Sequence, residues 1–391
     1  MHLLSRFSLS IISATTLLTS SLPIFAQETS PRSPLADPPN WDYINTLGNC
    51  IHRSEMLRIL EEHYAPNNAY KDFFQITSTS LRVRISNGEW KDIPFAPENA
   101  PALGAKRFWR HARELPPAPA NRPLEGLRIA IDPGHLGGEW AKMEARFFQI
   151  GSGKPVAEGD ITLRVAQLIQ KPLEKLGATV VLLRKSDKPA TPERPESLVE
   201  QAKADLQGAS STDRIRTQSE LFFYRISEIR ARARLVNEII QPDLVLCLHL
   251  NAEEWGDPAD PKLVARNHLH ALVNGCYSAR ELAFDDIRSD MLSHLFTRTA
   301  TEAIPLNESI SDSLASITGL PPFTYFSYTA KRVGSGPYVY ARNLLANRLY
   351  HAPVVFLEPY VMNSLPVWTH FQMGEYLSLI HISEPTRPER I

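Results

Sequence analysis

The chain has 391 residues, with 42 basic and 43 acidic side chains, a formal net charge of -1 and 43% hydrophobic residues. That length can hold one large core plus a smaller unit, and the balanced charge excludes an overall field directed at nucleic acid or an anionic membrane surface. Three cysteines (Cys50, Cys247 and Cys276) leave at least one thiol unpaired, and none is spaced as a zinc knuckle.

At the N-terminus, Arg6 precedes an apolar, Ser/Thr-rich stretch from Phe7 to Leu22, and Pro23-Ile-Phe-Ala26 offers a cleavage point. This pattern reads as a signal peptide over 1–26. It implies export to a periplasmic or extracellular compartment, with no integral membrane segment after its removal. Residues 27–40 are Pro/Ser-rich, a linker in composition. Residues 41–115 are expected to form a small α+β lobe of unassigned role. Within it, Ser54 to His63 has helical spacing with Ser54 as a cap, and Leu81-Arg-Val-Arg-Ile85 alternates like an exposed strand before Asn87-Gly88. Residues 116–125 belong to a proline-rich connector, where the domain boundary is placed.

From Gly126 the pattern alternates strand and helix, which predicts an α/β fold: a mixed, mostly parallel sheet flanked by helices on both faces. Leu127–Ile131 reads as a strand, and Asp160 as the N-cap of a helix that Pro172 should kink or restart. Thr179–Leu183 is the next strand, and Lys185 to Ser219 reads as a polar insertion outside the core. Phe222–Ile240 is helical; its arginines between Arg225 and Arg234 suggest a solvated face. Leu244–Leu248, Asn267–Val273 and Val354–Leu357 read as further strands, with a largely helical Tyr277–Glu302 and a loop-rich Ile304–Pro337 between the last two. The domain is taken as 126–377. Residues 378–391 resemble a translated sequencing adaptor, so they are excluded from the fold and the domain is expected to be truncated.

Three apolar runs end on residues that can serve at a metal: Leu127–Ile131 runs into Asp132-Pro-Gly-His135, Leu244–Leu248 into His249-Leu-Asn251, and Val354–Leu357 into Glu358. In open α/β sheets the ligand crevice lies beyond the carboxyl ends of the strands. Two imidazoles and a carboxylate there suit a hydrolytic zinc, which takes three protein ligands and leaves a position for water. His135 and His249 are the imidazoles, and Glu158 at a helix mouth is the third ligand, with Glu139 and Glu144 as competitors. Glu358 is the candidate general base, because a carboxylate after four apolar residues is costly to bury without a partner. Asn251, Arg342 and Asn363 are candidates for substrate contact. Arg342 would equally suit a surface ion pair, and Asn363 would equally close a turn. His268 and His270 read as core or surface histidines.

The segments Ile131-Asp-Pro-Gly-His-Leu-Gly-Gly138, Glu158-Gly-Asp160, Leu183-Arg184-Lys-Ser-Asp187, Leu248-His-Leu-Asn-Ala252 and Leu357-Glu-Pro-Tyr-Val-Met-Asn363 occur in that order. In this the chain resembles the zinc-dependent N-acetylmuramoyl-L-alanine amidases of bacterial cell walls (amidase type 3), over about 126–374. The resemblance implies Zn2+ on His135, Glu158 and His249, catalysis by Glu358, and peptidoglycan as the partner. Relatives whose zinc is covered by an inserted helix add an activator protein. The chain departs from the usual pattern in the 23 positions between His135 and Glu158, in Leu136 before Gly137-Gly138, and in Tyr360 where glycine is usual. The alternatives are an exported zinc peptidase or amidohydrolase of other specificity, or a non-catalytic wall-binding protein.

Overall fold

Short runs of aliphatic residues bounded by turns assemble into the sheets of this chain. The structure is a computed structural model describing residues 30–207 and 210–374; the expected signal peptide and the adaptor-like tail lie outside the described residues.

In the N-terminal lobe, helix α1 (Arg53–Ile59) packs with a three-stranded antiparallel sheet of β1 (Phe74–Ile76), β2 (Ser80–Arg84) and β3 (Trp90–Pro94). His52, not Ser54, precedes α1, and it makes no side-chain cap. The strand around Leu81 has a buried face, Leu81 and Val83, rather than being exposed.

The main sheet is built from β4 (Arg128–Pro133), β7 (Thr179–Leu182), β8 (Leu244–Leu248), β9 (Leu269–Val273), β10 (Ala330–Arg332), β11 (Val339–Arg342) and β12 (Val354–Pro359). Between β4 and β7 lie a short hairpin, β5 (Phe147–Phe148) and β6 (Val156–Ala157), and helix α2 (Glu158–Lys175). The spatial order is β10-β11-β9-β12-β8-β4-β7. Strands β12, β8, β4 and β7 run parallel, β9 and β11 run parallel to each other in the opposite sense, and β10 closes the edge antiparallel to β11. The expected mixed, mostly parallel sheet is therefore present. The chain leaves β4 for β7 on one side and returns to β8 on the other, so β4 and β8 flank a topological switch point.

Alternation along the strands separates two layers. Ile129, Ile131, Val355 and Leu357 face Val165, Ala166 and Ile169 of α2 and Ala303 of α8 (Thr299–Thr318). Ala130, Val245, Cys247 and Phe356 face Ala233, Val236 and Tyr350. The helix on that second face is one run over 212–240, with α4 (Thr212–Leu221) and α5 (Glu228–Arg234) joined by a π-helical segment.

Several sequence expectations are corrected. Helix α2 begins at Glu158 with Ala157 as N-cap, and Asp160 instead accepts a bond from the Gly138 amide at 2.8 Å. Pro172 falls near the end of α2 without stopping it, since the helix runs to Lys175. The polar 185–219 stretch contributes to the core: Leu198 and Ala202 pack with Leu136, Phe222 and Phe223. Helix α8 carries through Pro305 to Thr318, because Ala300, Ala303, Ile304, Ile310 and Leu314 recur at helical spacing and pack into the cores. The loop-rich stretch is confined to the segment after Gly319.

The lobe shares its core with α7 (Asp285–Thr297): Ile51, Met56, Tyr64 and Val83 cluster with Met291, Leu292, Leu295 and Phe296. Residues 30–36, read as linker, are tied down as well. Pro31 accepts a bond from the Asp285 amide, Ser33 bonds the Asp286 carboxylate, and Leu35 packs beside Trp140. All three cysteines are buried and free, with Cys247 in mid-strand. Among the described residues no helix is long and apolar enough to cross a membrane.

Candidate metal centre

Two parallel strands deliver the two histidines to one edge. His135 follows β4, and its φ of 60° places it in the left-handed region, at a cost of about 1–2 kcal/mol for a side-chain-bearing residue. The preceding Gly134 is needed for a different reason: a Cβ there would stand 2.3 Å from Cε1 of His249. His249 follows β8, and its amide donates to the Leu357 carbonyl at 3.0 Å. Its ring stacks on Phe356 with centroids 4.4 Å apart and planes at 12°. Packing thus fixes the imidazole orientation.

Glu158 opens α2, pointing between these rings. Its Oε2 lies 3.3 Å from Nε2 of His135, and its Oε1 3.3 Å from Nδ1 of His249. One donor atom from each of the three residues can be chosen so that all lie within 4.8 Å of one another. Oε1 accepts a bond from the Leu250 amide at 2.9 Å, while Oε2, fully buried, has no hydrogen-bond partner. Burial opposes ionisation of this carboxyl, yet His135, His249 and Arg146 outweigh it and bring the group down to about 2. An ionised, buried oxygen without a hydrogen bond, facing two imidazoles, fits a cation bound by two nitrogens and one oxygen.

Glu358 stands beside this cluster on β12 and lines the same cavity, of about 310 Å³, with Arg146, Tyr224, Ile229, Arg342 and Phe356. Burial pushes its carboxyl up to about 7, against the pull of His249. It can therefore take or release a proton near neutrality.

A profile of N-acetylmuramoyl-L-alanine amidases matches residues 129–260, which contain all three metal-ligand candidates. Over this segment, about a third of the chain, the sequence is similar to the N-acetylmuramoyl-L-alanine amidases. A curated relative, the germination-specific N-acetylmuramoyl-L-alanine amidase of Bacillus subtilis, is 28% identical over 140 residues, covering 35% of this chain and 45% of that protein. The chain thus spans about half the length of that relative. Among solved structures, the CwlD amidase from Clostridioides difficile in complex with the GerS lipoprotein is 13% identical, covering 65% of this chain and 100% of that one, with a TM-score of 0.34. The amidase AmiC2 of Nostoc punctiforme is 13% identical over 66% and 93%, also at 0.34.

Within the amidase segment, the long interval between His135 and Glu158 carries supporting groups. Glu144 accepts from the Leu136 amide at 2.9 Å and approaches Nδ1 of His135 at 3.8 Å. Arg146 Nε lies 3.6 Å from Glu158 Oε2. Glu144 is therefore placed behind His135 rather than among the three converging donors. Tyr360, where the family usually has glycine, has a φ of 63°, a conformation that glycine adopts without strain.

The arginine-rich helix face departs from expectation at Arg232, which is buried beneath the cleft. Its guanidinium donates to Asp132 at 2.8 Å, to the Pro133 and His135 carbonyls, and to Glu228 at 2.8 Å. Two carboxylates and two carbonyls offset its desolvation and clamp the loop that carries His135. No periodicity argument could have found it, because its partner Asp132 is 100 residues away.

Of the substrate-contact candidates, Arg342 lines the cleft, whereas Asn251 and Asn363 do not. Asn251 Nδ2 lies 3.4 and 3.3 Å from the Nδ1 atoms of His268 and His270. Asn363 is fully buried, accepts from the Glu253 amide at 3.0 Å and donates to the Lys262 carbonyl, closing a loop.

Proposed function

We propose that this cleft hydrolyses the amide between N-acetylmuramic acid and L-alanine in peptidoglycan, in cell-wall remodelling or daughter-cell separation. The observation that carries the reading is the convergence of His135, Glu158 and His249 around a buried oxygen lacking a hydrogen bond, within the segment that matches the amidase family. These three residues would hold Zn2+, which when bound polarises a carbonyl and acidifies water. Glu358 accepts the proton of the attacking water and passes it to the departing nitrogen. Its elevated pKa suits both halves of that transfer, since a strongly acidic carboxylate would take the proton poorly. Phe356 holds the His249 ring and Arg232 holds the His135 loop, so neither imidazole needs to reorganise during the reaction. Arg342 is the residue we assign to substrate contact; Asn251 and Asn363 shape the loop beside it.

The apolar N-terminal stretch and a wall substrate support export, to the periplasm or beyond the cell. An activator protein remains a partner implied by the family resemblance alone. Muropeptides incubated with the purified protein, with and without chelator, test the reading. Metal-dependent release of free stem peptide is expected; its absence with folded, zinc-loaded protein would refute the proposal.

A further inference from the structure

Arg342 brings into the cleft a positive charge that favours the Glu358 carboxylate but is not ion-paired with it. It is the last residue of β11, half-buried, and lines the same cavity as Glu358. The buried Arg184 donates to the Ser186 and Gly159 carbonyls, while Arg232 bridges Asp132 and Glu228, and Arg110 and Arg128 share Asp243. Arg342 instead rests on neutral groups. Its Nη1 donates to the Tyr325 hydroxyl at 3.3 Å, and its guanidinium lies 5.5 Å from the centre of the same ring. Among the described residues it forms no ion pair.

The supporting groups are fixed in turn. The Tyr325 oxygen is 3.0 Å from Nε2 of His270, and its ring packs edge-on against Phe323 with centroids 4.8 Å apart. His270 is buried, and burial, aided by His268 and Arg342, pushes it down to about 3, so it stays neutral at physiological pH. A guanidinium has five donors, and one bond to Tyr325 leaves others unspent. The cavity around it holds both signs: Asp132, Glu144, Glu158, Glu228 and Glu358 line it, and so do Arg146, Arg225 and Arg232. Arg232 is paired with Asp132 and Glu228, and Arg146 lies against Glu158, which leaves the half-buried Arg342 and the exposed Arg225 to meet an anionic group. A planar guanidinium held by Tyr325, and ion-paired with no carboxylate among the described residues, suits a ligand carboxylate, which it can bind through two parallel bonds.

We infer that Arg342, fixed by Tyr325, receives a carboxylate of the substrate, so that the cleft selects acidic stem peptides over the same peptides with their carboxylates amidated. This rests on the amidase reading and adds a substrate preference to it. Tyr325 is a positioning residue, acting through Arg342.

The test compares kcat/KM for one muropeptide in its free-acid and amidated forms, using zinc-loaded full chain: wild type, Arg342→Ala, Arg342→Lys and Tyr325→Phe. Wild type should favour the acid form by about tenfold or more, the scale of one charge-assisted contact. In Arg342→Ala that ratio should fall to near one, with the loss appearing mainly as a raised KM for the acid form. Arg342→Lys should keep part of the preference, and Tyr325→Phe should reduce it several-fold while retaining the ring packing. Thermal unfolding of each variant shows whether it is folded; if Arg342→Ala is not, the Lys and Phe variants decide. A wild-type ratio near one, a ratio that survives Arg342→Ala, or equal losses on both forms would overturn the inference while leaving the amidase reading intact. Failure of folded, zinc-loaded wild type to cleave either form would overturn both, a distinguishable result.

Discussion

At the scale of single residues, the groups around the cleft have separate duties that substitution can pull apart. Glu358→Gln should retain bound zinc and lower kcat about 10²–10⁴-fold, with little change in KM. The acid limb of the wild-type activity profile belongs to the same carboxyl. A base must be deprotonated to work, and burial places this group near 7, so activity should fall as pH drops through and below that value. A neighbouring dication would favour the carboxylate and move the limb downward. Loss of the limb in the Gln variant, read from kcat/KM against pH, checks the assignment. Glu144→Gln should weaken zinc binding about 10–100-fold, as a carboxylate behind a ligating histidine does, and a chelator competition reads it directly. His135, His249 and Glu358 were legible in the sequence because each ends an apolar run, which fixes its place at the sheet edge. Glu158 was legible from the helix that follows it. Glu144 and Arg232 were not, because their partners are set by tertiary packing rather than by spacing.

Among the elements, β4 and β8 carry the site, and a buried carboxylate ties their amino ends together. Asp243, just before β8, accepts from Arg110 and from both the amide and the guanidinium of Arg128. Burial opposes its ionisation, but the two arginines hold the carboxyl well below the usual range. Because the folded-state pKa is depressed, the stabilisation is present above the unfolded value and is lost as pH falls through it toward the folded pKa. Asp243→Asn should therefore cost about 2 kcal/mol at neutral pH, allowing for the partial exposure of both arginines, with the deficit shrinking below about pH 4. Melting temperatures of wild type and variant between pH 7 and 2.5 measure this; a deficit that grows in acid would contradict it. The strand runs at 127–131, 244–248 and 354–357 could be read because they are continuous and apolar. The path of α8 could not, since Pro305 reads as a break while the apolar face around it continues.

At the scale of the whole molecule, the lobe and the larger α/β part share one hydrophobic cluster through α7. Phe296→Ala, which removes a fully buried ring from that cluster, should cost about 3–5 kcal/mol and lower a single unfolding transition. Two separated transitions would instead mean that the lobe melts alone. Composition suggested an appended lobe, and nothing in it signals that α7, some 200 residues later, completes the lobe's core. Everything proposed for the cleft depends on His135, Glu158 and His249 holding zinc beside Glu358, which elemental analysis of purified protein can decide. About one zinc per chain is expected in wild type and in Glu358→Gln, and its loss in Glu158→Ala. Unchanged zinc in a folded Glu158→Ala variant would contradict the account.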